Sequence, residues 1–185
     1  MKTIAQSSQT VLILEKQNFK FSAAHFLIFD QHTAERLHGH NYQVKVEIHF
    51  SASTEINEKG YFIDFNVFKK TIKKTVDAWD EMVLLPQNHQ DMKFFTQGPS
   101  LEVRFRDRFY VFPVNEVVLL PLTNTSVEQM SALLGEILLK EFLTYGISAV
   151  QVTVEETNGQ GAKSTQYVKT TEGVPSEPLL VRAHE

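Results

Sequence analysis

The run His38-Gly39-His40-Asn41-Tyr42 leads straight into a strand and constrains this chain more than any other stretch. Tyr42, Val44, Val46, Ile48 and Phe50 alternate with Gln43, Lys45, Glu47 and His49. That period of two marks a half-buried strand from His40 to Phe50. Carrying the phase backwards puts His38 and His40 on the face of Tyr42 and Val44. Two imidazoles on one face of a strand can share one metal ion. Gly39 between them removes a side chain and lets the preceding loop bend into the strand.

A third imidazole lies upstream. Phe19, Phe21, Ala23 and His25 share one phase, so His25 points with the apolar residues of its own strand. Three neutral imidazoles with an open fourth position form a catalytic zinc arrangement. Taken singly, His38 and His40 read as polar loop residues and His25 as a satisfied core histidine. The HGH strand entrance and the in-phase His25 together favour the metal. The chain contains no cysteine, which excludes disulfides, thiolate ligands and a thiol nucleophile.

Around these residues the pattern is that of one domain, residues 1–185, with a core over about 10–170 and a polar tail over 173–185. Residues 1–10 are polar and read as loose. Val11 to Leu14 begins a strand, and Glu15 to Asn18 is a bulge or a polar stretch before Phe19 to Phe26. Residues 27–37 read as a loop. Asp64 is placed to cap a helix in which Phe65, Phe68, Ile72, Val76 and Trp79 recur at helical spacing, ending near Asp80-Glu81. Residues 87–121 read as an insertion carrying a β-hairpin, Leu101–Phe105 against Phe109–Pro113. A second helix opens at Thr125 and Ser126 with a capping box to Glu128 or Gln129, and ends at Gly146. Val150, Val152 and Val154 form the last strand, with Tyr167 to Lys169 pairing back on it. Formal net charge is −4, which suggests no nucleic-acid surface. With no apolar run of membrane length and no evident signal peptide, the expected compartment is the cytoplasm.

Several carboxylates are placed for chemistry. Glu156 continues the buried phase of Val150, Val152 and Val154, where an acid is costly without a partner. An amide-like or cationic ligand edge is such a partner, and a one-residue bulge returning Glu156 to solvent is the alternative. Glu35 lies three residues before His38, where it can serve as a general base beside a metal, although spacing alone fits a solvated loop charge. Asp80 and Glu81 follow the first helix, where the helix dipole prefers cations. Arg104, Arg106 and Arg108 on the hairpin form a solvated edge or reach a phosphate tail.

In order along the chain stand Ser22-Ala23-Ala24-His25, Leu37-His38-Gly39-His40-Asn41-Tyr42, Gly60-x-x-Ile63-Asp64-Phe65, Val83-Leu84-Leu85-Pro86, Asn124-Thr125-Ser126-Val127-Glu128 and Val154-Glu155-Glu156-Thr157. As a set these resemble the 6-pyruvoyltetrahydropterin synthase and 6-carboxytetrahydropterin synthase family. The resemblance implies an α+β T-fold, an antiparallel ββααββ sheet with two helices. It implies trimers closing into a barrel, and two trimers stacking into a homohexamer with active sites between subunits. It also implies Zn2+ held by His25, His38 and His40, a pterin anchored by Glu156, and Thr125 and Ser126 lining the pterin pocket.

Two departures from the synthases stand out. Their catalytic cysteine position is Ala34 here, and their Asp-His pair is Asp80-Glu81, so a thiol-dependent synthase mechanism cannot operate. The Ala34-Glu35-x-x-His38-Gly39-His40 pattern is similar to the glutamate-containing paralogues that supply the folate route. These cleave the 7,8-dihydroneopterin side chain to 6-hydroxymethyl-7,8-dihydropterin. That resemblance implies Glu35, Asp80 and Glu81 as the catalytic acids. The alternatives are a pterin-binding homologue without chemistry and a zinc enzyme acting on a related GTP-derived pterin.

Overall fold

The computed structural model describes residues 10–51 and 54–169. The readings for the first nine residues and for the tail beyond 173 lie outside the described residues. Two short strands, β1 (Val11–Leu14) and β2 (Lys20–His25), precede the 13-residue β3 (His38–Phe50). Both pair antiparallel with β3, Leu14 opposite Val46 and Lys20 opposite Gln43. The Glu15–Asn18 interruption is thus a break in one long partner of β3. The Gln43 side chain fills it, donating to the carbonyls of Lys16 and Phe19 at 3.0 Å each.

The HGH motif lies inside β3, not ahead of it. Gly39 pairs with Ala24, and a Cβ there would stand 3.3 Å from the Ala23 carbonyl oxygen. Its role is therefore close approach of two backbones rather than a bend.

The first helix, α1 (Asn66–Asp77), buries Phe68, Ile72 and Val76. Its N-cap is Phe65, without a side-chain cap. The Asp64 carboxylate instead accepts from the Asn66 amide at 2.9 Å, one residue out of capping register. Phe65 is exposed, and Trp79 lies past the helix end, packed edge-on against Phe21. Glu81 then adopts φ 59°, a left-handed turn that swings the chain into β4 (Met82–Pro86). Its amide donates to the Ser22 carbonyl at 2.7 Å, which seats β4 beside β2.

Residues 92–113 form three strands, not two: β5 (Met92–Gln97), β6 (Ser100–Phe105) and β7 (Arg108–Pro113). They make a separate antiparallel sheet. Met92, Leu101, Val103 and Phe105 pack with Phe26, Ile28 and Leu85 into a second core. The chain returns through β8 (Val117–Leu120), parallel to β4.

The second helix, α2 (Val127–Phe142), is capped by Ser126, whose hydroxyl accepts weakly from the Gln129 amide at 3.4 Å. Gln129 does not complete a capping box with Ser126. Its side chain turns to the amides of Thr123 and Asn124. Thr125 lies one residue outside the cap. Gly146, at φ 69°, ends the helical segment in the left-handed conformation that glycine accepts without strain. A hairpin of β9 (Ile147–Thr157) and β10 (Gln160–Tyr167) follows, so pairing begins at Gln160 rather than near Tyr167.

The main sheet runs β10-β9-β3-β2-β4-β8, with β1 also on β3. It is mixed rather than antiparallel throughout, because β4 is parallel to both β2 and β8. The class is α+β with two helices, as expected. One sheet face carries Tyr42, Val44, Val46, Ile48, Val150 and Val152, all fully buried with the inner faces of α1 and α2. Phe68 meets Phe142 edge-on at 4.8 Å where the helices join. Among the described residues no helix is long and apolar enough to cross a membrane.

Candidate metal centre

The register of β2 on β3 sets His25 directly opposite His38. His40, two residues on, shares that face. The ligand atoms of the three imidazoles all lie within 4.8 Å of one another, and the Nε2 atoms of His38 and His40 are 2.9 Å apart. His25 is fully buried, while His38 and His40 are partly exposed, so the cluster opens on one side.

Hydrogen bonds decide which nitrogens face inward. A carbonyl can only accept, so His25 Nδ1 donates to the Thr125 carbonyl at 3.0 Å, and His38 Nδ1 donates to the Arg36 carbonyl at 2.8 Å. Each ring then presents Nε2 as a lone pair, the tautomer a metal needs. His25 Nε2 is buried with no hydrogen-bond partner among the described residues, although buried polar atoms are nearly always paired. Burial also pushes His25 down to about 4, so the ring is neutral at physiological pH. An orphaned neutral nitrogen facing two further imidazoles fits a cation of the zinc, copper, iron or nickel group.

Two carboxylates approach the cluster. Glu156 Oε1 lies 3.8 Å from His25 Nε2, at the end of the buried face of β9. Glu35 Oε2 lies 3.9 Å from His38 Nε2 and accepts from the Leu27 amide at 3.0 Å. Glu35 is thus held, not a freely solvated loop charge. Tyr42, two residues beyond His40, is fully buried with its ring 5.8 Å from that of His25. Its hydroxyl has no hydrogen-bond partner among the described residues, and burial with the Glu156 and Glu35 carboxylates pushes the phenol well above its usual range. The sequence reading put Tyr42 on this face but gave it no part in the site; an aromatic hydroxyl in phase with two histidines was the available signal.

The remaining candidates lie otherwise. Thr125 is buried, its hydroxyl donating to the Phe26 carbonyl at 3.1 Å. It meets the site through its carbonyl, which orients His25, and Ser126 caps α2. The Asp80 carboxylate accepts from the Ser22 amide at 2.7 Å. Glu81 lines an open cleft of about 360 Å³ with Ser22, Ala23, Ala24, Gly39, His40 and Asn41. Glu81 therefore shares this cleft with His40, while Asp80 is not among the residues lining it. His89 packs edge-on to Phe105, with Nδ1 accepting from the Asp91 amide.

Residues 14–166 match the model of the 6-pyruvoyl tetrahydropterin synthase family. The chain belongs to this family. A Methanocaldococcus jannaschii protein assigned as a 6-carboxy-5,6,7,8-tetrahydropterin synthase is 28% identical over 153 residues, covering 81% of this chain and 91% of that protein. A Halobacterium salinarum protein with the same assignment is 30% identical, covering 84% of this chain and 89% of that protein. The crystal structure of 6-pyruvoyl tetrahydropterin synthase from Plasmodium vivax superposes with a TM-score of 0.78 and 26% identity, covering 87% of this chain and 99% of that one. Two further structures of the P. vivax enzyme are catalytic-residue mutants in which a glutamate is replaced by alanine or by cysteine. Membership makes the chain a relative of enzymes that act on pterins, and the histidine cluster is its candidate metal centre.

Proposed function

We propose that this family member is a zinc-dependent pterin lyase that cleaves the side chain of 7,8-dihydroneopterin, or its phosphate, to 6-hydroxymethyl-7,8-dihydropterin. The observation that carries the reading is the placement of Glu35. Its carboxylate stands 3.9 Å from His38 Nε2, in a chain without a single cysteine. The thiol-dependent reactions of the synthases have no nucleophile here, and Glu35 stands where a general base would act. A glutamate is also the catalytic residue replaced in the P. vivax mutants, which supports the same role for Glu35.

His25, His38 and His40 would hold the zinc, which when bound supplies Lewis acidity toward substrate oxygen. Glu156 accepts from the amide and amino edge of the pterin ring and fixes its orientation. Thr125 and Ser126 shape the wall beside it. Glu35 takes the proton of the 2′-hydroxyl. The C1′–C2′ bond then breaks in a retro-aldol sense, and its electron pair moves toward C1′ and the pterin ring. C2′ leaves as the carbonyl carbon of glycolaldehyde, or of its phosphate ester when the substrate is phosphorylated. Protonated Glu35 holds the proton that C1′ requires, so the balance closes without an external acid.

The assembly that suits this reading is a homohexamer, a dimer of trimers with sheets closed into a barrel. Asp80 and Glu81 then act at a site shared between subunits. No nucleic acid or membrane takes part, and the compartment is the cytoplasm. The test is product identification. Zinc-loaded protein is incubated with 7,8-dihydroneopterin and, separately, its triphosphate, and products are resolved by chromatography with mass detection. The expected product is 6-hydroxymethyl-7,8-dihydropterin from one of the two, abolished by chelation. Bound pterin returned unchanged from both would contradict the reading.

A further inference from the structure

The two arginines at the β6–β7 turn bind the backbone of a distant loop. Arg108 donates through Nη2 to the Ala34 carbonyl at 2.9 Å and through Nη1 to the Glu35 carbonyl. Arg106 donates to the Asp30 carbonyl at 2.6 Å and pairs with Asp91 at 2.9 Å. Both reach the loop between β2 and β3, more than 70 residues away in sequence. The turn that presents them is strained, since Arg106 sits at φ 57° without being glycine.

That loop carries Glu35. It closes on itself through an isolated bridge between Ile28 and Ala34 and through the Glu35 amide, which donates to the Leu27 carbonyl at 2.9 Å. Asn124 ties one limb, accepting from the Ile28 amide and donating to its carbonyl. Arg108 ties the other limb at the backbone of Glu35 itself. Its guanidinium also stacks over Phe26 and Phe105, at 5.8 and 5.7 Å. A planar fork can meet two successive carbonyls at once; an ammonium is a point charge and cannot reproduce that geometry.

We propose that Arg108 is a positioning residue for Glu35, and that the β5–β7 sheet is the frame from which it acts. The inference rests on the lyase reading for the role of Glu35, but not for the hold on the loop. Arg108 touches no reacting atom. It fixes the backbone from which the carboxylate reaches both the Leu27 amide and the neighbourhood of His38. Displacing a base by about 1 Å costs on the order of 100-fold in rate.

The test compares Arg108→Lys and Arg108→Ala with the intact zinc-loaded protein. Lysine keeps the charge and much of the aliphatic stem over Phe26, so it serves if the alanine variant folds poorly. Arg104→Lys is the control, because the Arg104 guanidinium lies over Phe95 and Phe109 and has no hydrogen bond to the 27–37 loop among the described residues. Three quantities are read: kcat and KM for the pterin, zinc content, and amide hydrogen exchange over residues 27–37. The expected result is a kcat lower by about 100-fold in Arg108→Lys, with KM within about threefold of wild type and zinc retained. Exchange over 27–37 should quicken in both Arg108 variants and not in the control. Unchanged kcat in a folded, zinc-loaded Arg108 variant overturns the proposal. Unchanged loop exchange overturns it whatever the substrate proves to be. Absence of product from wild type, with exchange still quickened, overturns the lyase reading alone.

Discussion

His25 donates its Nδ1 proton to the backbone carbonyl of Thr125, a residue one hundred positions later, at 3.0 Å. This bond fixes the tautomer of the most buried imidazole of the cluster and ties that face of β2 to the start of α2. The Thr125 hydroxyl does separate work on the Phe26 carbonyl. Thr125→Val keeps the carbonyl and deletes the hydroxyl. It should lower stability by about 1–2 kcal/mol, the cost of leaving a buried acceptor unpaired, while zinc content stays unchanged. Urea denaturation with metal analysis checks both. Loss of zinc in this variant would mean that the hydroxyl, not the carbonyl, governs the ligand.

The histidine cluster predicts its own metal dependence. His25→Ala and His38→Ala each remove one of three ligands and should lose bound zinc. Wild type should gain about 2.7 kcal/mol of stability when free zinc stands at one hundred times Kd. Metal analysis and thermal melts with and without chelator read this. Equal melting curves in both conditions would remove the metal site.

Acid should unfold the metal-free protein through His25. Its imidazole titrates near 4 in the folded chain, against 6.5 when exposed. Between these values the unfolded chain binds the extra proton, so stability is fully present above 6.5 and falls as pH drops toward 4. The separation amounts to about 3 kcal/mol. Denaturation of metal-stripped protein across this range should show the slope, and His25→Leu should flatten it. The same slope in both proteins would assign the effect elsewhere.

Glu156 lies at the end of a strand face that is otherwise apolar, and 13% of its side chain is exposed. Glu156→Gln replaces a charged acceptor of two donors by a neutral amide. Pterin binding followed by fluorescence should weaken by at least about tenfold, the worth of one charge-assisted hydrogen bond, with zinc content unchanged. Equal affinity would place the pterin elsewhere.

What the sequence made legible was whatever repeats locally. The alternation of β3 and the in-phase His25 led directly to the histidine cluster, because period two maps onto one face. The helices followed from Phe68, Ile72 and Val76 and from Met130, Leu134 and Leu138. What stayed hidden depends on contacts distant in sequence. The parallel placement of β4 rests on a left-handed turn at Glu81, which is not a glycine and so carried no turn signal. The third strand of the second sheet, Met92–Gln97, has a polar exposed end and little alternation. Arg106 and Arg108 read as edge charges because nothing near them in sequence names Asp30, Ala34 or Glu35 as partners. Glu35 stood out through the resemblance carried by Ala34-Glu35-x-x-His38-Gly39-His40, since its spacing alone fits a solvated charge, and its anchoring to Leu27 had no local signal.

The most direct test of the account is the rate of 6-hydroxymethyl-7,8-dihydropterin formation by wild type and by Glu35→Gln at matched zinc content. The amide keeps the size of the side chain and removes the base. The account predicts a rate lower by about 100-fold or more in the variant, the usual worth of a general base, with zinc and pterin still bound. Equal rates in the two proteins would contradict it and take the chemistry away from Glu35.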